Sequence, residues 1–211
     1  MLYLQDLAYH PAASETAILK QIELELAANE LGLVVGPSGS GKTTLLEILA
    51  GLARPTSGKL FWREQELTPE YLQQLGGLVF QFPERHFCGR TILEELRLGH
   101  PELGSDRVKT ALQEVGLEML SLDTSPFSLS GGQQRRLAFA VQLIRQPHLL
   151  LLDEPTAGLD WSMRRQLVEL LRKLKQHWSL LVVTHDASDL LPIADRAWRL
   201  ERGELRDYQT T

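Results

Sequence analysis

The chain has 211 residues, 43% of them apolar, a formal net charge of −5 and a pI near 5.7. That length supports one sizeable core with a small subdomain rather than two full domains, and the acidic balance supplies no general basic field, so nucleic acid is not an expected partner. Cys88 is the single cysteine, which excludes an intramolecular disulfide and every multi-cysteine metal framework and reads as a reduced thiol.

The opening "MLYLQDLAYH" alternates apolar residues at Leu2 and Leu4 and lacks a basic leader, so it reads as a strand rather than a secretion signal. Ile22, Leu24 and Leu26 alternate with Glu23 and Glu25, and Lys59 to Arg63 gives another short strand-like run. Together they predict an N-terminal antiparallel layer. The runs at 31–36, 149–155 and 179–186 are different, being continuously apolar and ending in polar loops, as strands buried on both faces of a parallel sheet do. None approaches the roughly 20 residues that cross a bilayer, so a membrane role is expected to come through a partner.

Between the first of those strands and the helix pattern "LLEILA" stands "GPSGSGKTT", Gly36 to Thr44, which fits G-x-x-x-x-G-K-[ST] in the right strand-to-helix setting. Gly36, Gly39 and Gly41 let the backbone N–H groups of the loop, with Pro37, Ser38 and Ser40 between them, wrap phosphates. Lys42 adds charge at the β/γ oxygens, Thr43 offers a hydroxyl to Mg²⁺, and Thr44 completes the motif.

From about Thr91 to Gln146 the periodicity is helical. Val108, Ala111, Leu112 and Val115 fall on one face, with Ser105 expected to cap the start and Gly116 the end. This predicts a helical subdomain at about 91–146 inserted into a core of 1–90 and 147–211. Inside it, "FSLSGGQQRRLAFA" opens a helix on a Ser-Gly-Gly run, the form of a second anion cradle. "LLLLDEP" follows: Asp153, at the C-terminal end of a buried parallel strand, is placed to hold Mg²⁺, and Glu154 to polarise an attacking water as general base. The alternative for Glu154 is a cap on a helix beginning at Pro155. "RRQLVELLRKLKQ" from Arg164 is a basic amphipathic helix expected to pack its apolar side on the sheet, and "RAWRLERGELRD" predicts a final hairpin turning at Gly203.

With these motifs in order, the chain resembles the nucleotide-binding subunit of ABC (ATP-binding cassette) ATPases over essentially its whole length. The resemblance implies an α/β P-loop NTPase core of ABC type, with an N-terminal antiparallel layer and an inserted helical subdomain. "LSGGQ" at 129–133 resembles the family signature, "AGLD" ending at Asp160 the D-loop, His185 in "VVTHD" the switch histidine, Gln81 in "VFQ" the Q-loop glutamine, and Tyr9 the aromatic that stacks on adenine. It implies that two such chains, copies of this one or this one and a homologue, pack head to tail, so that Ser130, Gly131, Gly132 and Gln133 of one close over the ATP held by the phosphate loop of the other. Asp160 would lie at that seam, Gln81 would reach metal and water, and His185 would hydrogen-bond the γ-phosphate near Glu154.

The stretch Val79 to Gly99, with F-Q-x-P, Phe87 and Thr91, is similar to energy-coupling-factor ATPases, which power uptake of vitamins and metal ions. It implies that Phe82 to Arg90, with Phe87 and Cys88 beside Arg85 and Arg90, forms a mixed apolar and basic patch for a membrane subunit. The chain would then act at the cytoplasmic face of a membrane, or in a plastid stroma. Those ATPases usually extend beyond the last hairpin, whereas this sequence ends at Thr211, which bears on dimerisation. Other readings stay open: a soluble ABC ATPase such as one in iron-sulfur-cluster assembly, a P-loop kinase, for which "LSGGQ" has no use, and a non-hydrolysing adaptor, which would not need Glu154 and His185. His10, His86, His100, His148 and His177 lack metal-site spacing, and Trp62, Trp161, Trp178 and Trp198 are expected to pack in separate elements.

Overall fold

The computed structural model describes residues 1–12 and 16–209. In chain order its elements are β1 (Leu2–Tyr9), β2 (Leu19–Leu26), β3 (Leu31–Val35), α1 (Lys42–Leu49), β4 (Ser57–Trp62), β5 (Gln65–Glu66), α2 (Pro69–Leu75) and β6 (Gly76–Val79). They continue with α3 (Ile92–Leu96), α4 (Ser105–Glu114), α5 (Gly131–Leu143), β7 (Leu149–Asp153), α6 (Trp161–Leu174), β8 (Ser179–Thr184), β9 (Arg196–Glu201) and β10 (Glu204–Asp207).

The alternating N-terminal strands form an antiparallel sheet in the order β2-β1-β4-β5. The continuously apolar strands form a second sheet, β10-β9-β3-β8-β7-β6, parallel except for β10. Both of its faces are covered, which is why its strands do not alternate. Leu150, Leu152, Leu180 and Val182 point into one core with α3, α4, α5 and α6, while Leu149, Leu151, Leu181 and Val183 point into a second with α1, α2 and the antiparallel sheet. Residues of the helical stretch, such as Ile92, Val108 and Phe139, share the first core with Leu31 and Leu33 of β3, so that stretch has no core apart from the sheet. β6 was not foreseen: "GGLV" is too short and glycine-rich to read as a strand, yet as an edge strand it needs only β7 beside it.

Helix α4 corrects one expectation. Gly104 in an extended conformation, not Ser105, is its N-cap, and its carbonyl accepts the first helical bond, from Val108 N–H. Ser105 is already inside the first turn. At the other end Gly116 takes a left-handed φ of 67°, with its own N–H bonded to Gln113 O and that of Leu117 to Leu112 O. These two bonds make a Schellman ending, which glycine permits without strain. In α6, Leu167, Leu170, Leu171 and Leu174 are buried, and Arg172 and Lys173 face solvent in the last turn. Of the four tryptophans Trp161 departs from the packing expectation: it starts α6 with 69% of its surface exposed, and Arg165 stacks over its ring. The position is solvent-facing because Trp161 precedes the helix's first buried residue by more than a turn.

Phe87 departs in the opposite sense. It is 8% exposed, part of the first core, and meets Phe127 edge to face. An aromatic ring in this turn is held inward because the Pro83–His86 3₁₀ turn lies against α5 and folds the chain back onto the core. Among the described side chains of Phe82 to Arg90, those of Arg85, His86, Cys88 and Arg90 are exposed, with Phe82 half-buried beneath Arg85.

Candidate functional site

The phosphate-type loop leaves β3 under tight steric control. Gly36 N–H donates to Thr184 O at the end of β8 (3.0 Å), and a side chain at Gly36 would place its Cβ 2.2 Å from Leu200 O. Gly39 and Gly41 adopt φ of 78° and 103°, conformations that L side chains avoid. Pro37, Ser38 and Gly39 form an exposed crest, and Thr44 is half-buried in the first turn of α1. Lys42 is folded back inside the loop, donating to Gly36 O (2.8 Å) and Pro37 O (3.1 Å), with its Nζ 3.5 Å from Glu154 Oε1.

Three features of this loop fit a bound phosphate and its cation. The buried Ser40 Oγ has no hydrogen-bond partner among the described residues, a deficit that an anionic oxygen at the crest would remove. The space beyond Gly39 is open. Thr43 Oγ1 donates to Asp153 Oδ2 (2.9 Å), which sets a hydroxyl and a carboxylate side by side, the hard oxygen donors Mg²⁺ takes alongside substrate phosphates. Burial holds the Asp153 carboxyl above its ordinary value, with the neighbouring Glu154 charge adding to the shift and the Thr43 bond and Lys42 opposing it. A cation there would favour the ionised form.

Glu154 does not cap a helix. Pro155 to Gly158 form a turn, and the next helix, α6, is capped by Asp160, whose Oδ1 accepts from Met163 N–H at 2.9 Å. Glu154 instead sits at φ 46°, a left-handed conformation that costs a non-glycine residue about 1–3 kcal/mol. Its N–H is tied to Val183 O (2.9 Å). Its two oxygens are used unequally. Oε2 accepts from Thr184 Oγ1 (2.9 Å), His185 N–H (3.2 Å) and His185 Nδ1 (2.8 Å), while Oε1 faces Lys42. An ionised carboxylate only accepts, so the His185 proton lies on Nδ1, and Nε2 is left for another partner. The His185 side chain is itself 56% exposed.

The structure therefore brings Lys42, Thr43, Asp153, Glu154 and His185 together at the C-terminal ends of β3, β7 and β8. Tyr9 lies near that cluster: it pairs with Leu19 in the antiparallel sheet, and Leu19 and Ile18 are the atoms a side chain at Gly41 would strike. Gln81 is in the turn after β6, its carbonyl bonded to Arg135 of α5 at 3.2 Å. The signature residues stand apart at the start of α5, where Ser130 and Gln133 form a capping box: Ser130 Oγ accepts from Gln133 N–H (3.3 Å) and Gln133 Oε1 from Ser130 N–H (3.0 Å). Gly131 has nothing within 4 Å of its Cβ position, and Gly132 lies beside Met163 of α6. Sequence reasoning missed Thr184 and Arg135. Thr184 was legible as the residue before His185; nothing in the sequence marked Arg135.

A twisted parallel sheet with a glycine loop, a lysine and two successive carboxylates at its C-terminal edge defines a P-loop nucleoside triphosphatase. A family model described as ABC transporter matches residues 19–157, and the chain belongs to that family. It is 42% identical over 215 residues to "ABC transporter I family member 11, chloroplastic" of Arabidopsis thaliana, covering 94% of this chain and 77% of that protein. It is 39% identical over 199 residues to an energy-coupling factor transporter ATP-binding protein of Symbiobacterium thermophilum, covering 89% of this chain and 69% of the relative. Among solved structures, cbiO1 of Clostridium perfringens, described as part of the ABC transporter complex cbiONQ, superposes with a TM-score of 0.90 at 27% identity, over 97% of this chain and 86% of that one. The chain is an ABC ATPase.

Proposed function

We propose that this chain is the ATP-hydrolysing subunit of an importer of the energy-coupling-factor type, working as half of a head-to-tail pair at the cytoplasmic face of a membrane, or the stromal face in a plastid. One observation carries the hydrolytic part: Thr43 bonded to Asp153 and Lys42 against Glu154, a phosphate loop and a carboxylate pair already in register. The transport part is supported by the energy-coupling factor relative and by cbiO1, described as part of a transporter complex. No helix among the described residues is long and apolar enough to cross a membrane, and in this reading the path for a solute is supplied by a membrane subunit.

The residues divide the work. Gly36 to Thr44 hold the phosphates on backbone N–H groups, and Lys42 leaves the carbonyls of Gly36 and Pro37 for the β/γ oxygens. Thr43, Asp153 and Gln81 would hold Mg²⁺, which would offset the negative charge on the phosphates. Departure of Lys42 frees Glu154 Oε1, while Thr184 and His185 keep Oε2 fixed; Oε1 is therefore the oxygen that orients water and takes its proton. His185 Nε2 addresses the γ-phosphate and Tyr9 stacks on adenine. Ser130, Gly131, Gly132 and Gln133 act on the nucleotide of the partner chain, with Asp160 at the seam, and two equivalent sites arise in a closed two-fold dimer. The membrane subunit is met by the exposed residues of Phe82 to Arg90, above all Arg85 and Arg90.

The test is affinity purification of tagged Glu154→Gln chain from native cells in mild detergent with Mg-ATP, with mass spectrometry of what is retained. A polytopic membrane protein, lost on Arg85→Ala/Arg90→Ala, is expected. Retention of soluble proteins alone would replace transport with the iron-sulfur type of role, which the transporter names of the relatives do not favour.

A further inference from the structure

Arg135 occupies the first turns of α5, five residues beyond Ser130, and is 6% exposed. Burying a guanidinium is costly unless its N–H groups are met. Here three main-chain oxygens meet them: Nη1 donates to Pro155 O and to Ala157 O (3.1 Å), and Nη2 to Gln81 O (3.2 Å). Those oxygens belong to two separate turns, one following β6 and one following β7. The first carries Gln81, and the second leaves directly from Glu154. The turns also touch, since a Cβ at Gly158 would lie 3.9 Å from Phe82 Cε1.

We propose that Arg135 is a positioning residue that fastens both turns to the opening of α5, so that the Ser130 end of the helix and the Glu154 carboxylate of the same chain move as one body. A planar, five-donor fork can hold divergent carbonyls at once, whereas a lysine ammonium reaches fewer of them from a single point. The strained φ of Glu154 gives the fastening its effect: Pro155 is the next residue and its ring fixes its own φ, so holding the Pro155 carbonyl also holds the 154–155 peptide from which the Glu154 backbone, and with it the side chain, is oriented. Engagement of Ser130 to Gln133 by a partner chain is thereby felt at this chain's own Glu154, not only at the partner's nucleotide. The proposal rests on the reading of Glu154 as the base.

Arg135→Lys and Arg135→Gln are compared with wild type in steady-state hydrolysis, binding of a fluorescent ATP analogue and thermal melting. Turnover is expected to fall ~10-fold in the lysine variant and ~100-fold in the glutamine variant, with ATP affinity unchanged within about twofold. The lysine variant should melt near wild type. In a Glu154→Gln background, adding Arg135→Lys should cause no further fall in the single-turnover rate, because both changes act through one carboxylate. Wild-type turnover in both variants would overturn the proposal. So would parallel loss of affinity, turnover and melting temperature in both, the mark of a structural role alone, or a fully additive loss in the Glu154→Gln background. Wild-type turnover of Glu154→Gln by itself is a separate result that removes the base assignment, and it is read before any Arg135 substitution is made.

Discussion

Lys42 Nζ lies 3.5 Å from Glu154 Oε1, both side chains nearly buried, so the lysine of the phosphate loop and the proposed base neutralise one another across the sheet edge. Removing one partner of such a pair leaves the other charge buried and is destabilising by about 3 kcal/mol. Lys42→Ala is therefore expected to lower the melting temperature of the nucleotide-free protein, and Lys42→Ala/Glu154→Gln to recover part of that loss. Equal melting of the single and double variants would show that Thr184 and His185 alone satisfy the carboxylate.

Thr184 is 1% exposed, and its hydroxyl donates to Glu154 Oε2 while accepting from Asp186 N–H. Thr184→Val keeps the shape and removes both bonds. With one donor gone from Oε2, turnover should drop by about tenfold while ATP binding holds, since the loss of a bond to a charged group amounts to about 1.5–3 kcal/mol. Steady-state kinetics with a parallel binding titration decides it.

The corrected position of Phe87 separates two variants that the sequence treats alike. Phe87→Ala empties a core site and should cost about 3–5 kcal/mol of stability; Arg90→Ala, at an exposed position, should stay within about 0.5 kcal/mol. Chemical denaturation of both measures the difference. Comparable stabilities would return Phe87 to the surface.

Gly36→Ala forces a Cβ to within 2.2 Å of Leu200 O and 2.7 Å of Ser40 Oγ. Backbone on one side and the loop on the other leave no room to yield, so the loop must move off β9. Loss of ATP-analogue binding by tenfold or more, together with a lower melting temperature, is the expected result.

Asp186 accepts from Ser188 Oγ (2.7 Å) and Ser188 N–H (3.1 Å), and its other oxygen is 3.5 Å from Arg164. The Ser188 hydroxyl bond, then the Ser188 amide, hold its carboxyl below the usual value, with Arg164 contributing. A folded-state pKa below the unfolded one means that the stabilisation is complete above the unfolded value near 3.9 and disappears as the pH falls through the folded value. The acid limb of the stability curve below about pH 4 should be shallower in Asp186→Ala than in wild type.

How much of this was legible depended on whether the cause was local. The alternation of Ile22, Leu24 and Leu26 and the unbroken runs of β7 and β8 announce their own environments, because a strand buried on two faces has no polar side to show. The phosphate loop and the final turn at Gly203 are legible for the same reason: each needs specific residues at fixed spacing. What could not be read was fixed by distant chain. Phe87 is inside because the Pro83–His86 turn lies against α5, Arg135 is held by carbonyls, which carry no sequence identity, and β6 exists because β7 offers it an edge. Ser105 was a near miss of one residue, because a glycine preceding it could take the extended half-turn.

The cap on α6 turns one amide into an internal clock. Met163 N–H is bonded to Asp160 Oδ1, and Asp160 is on an exposed turn beside the equally exposed Trp161. A neighbour that draws the Asp160 carboxylate toward itself competes with that amide for the same oxygens. Deuterium uptake at Met163 thus records the time the turn spends engaged, and it does so in the unmodified chain.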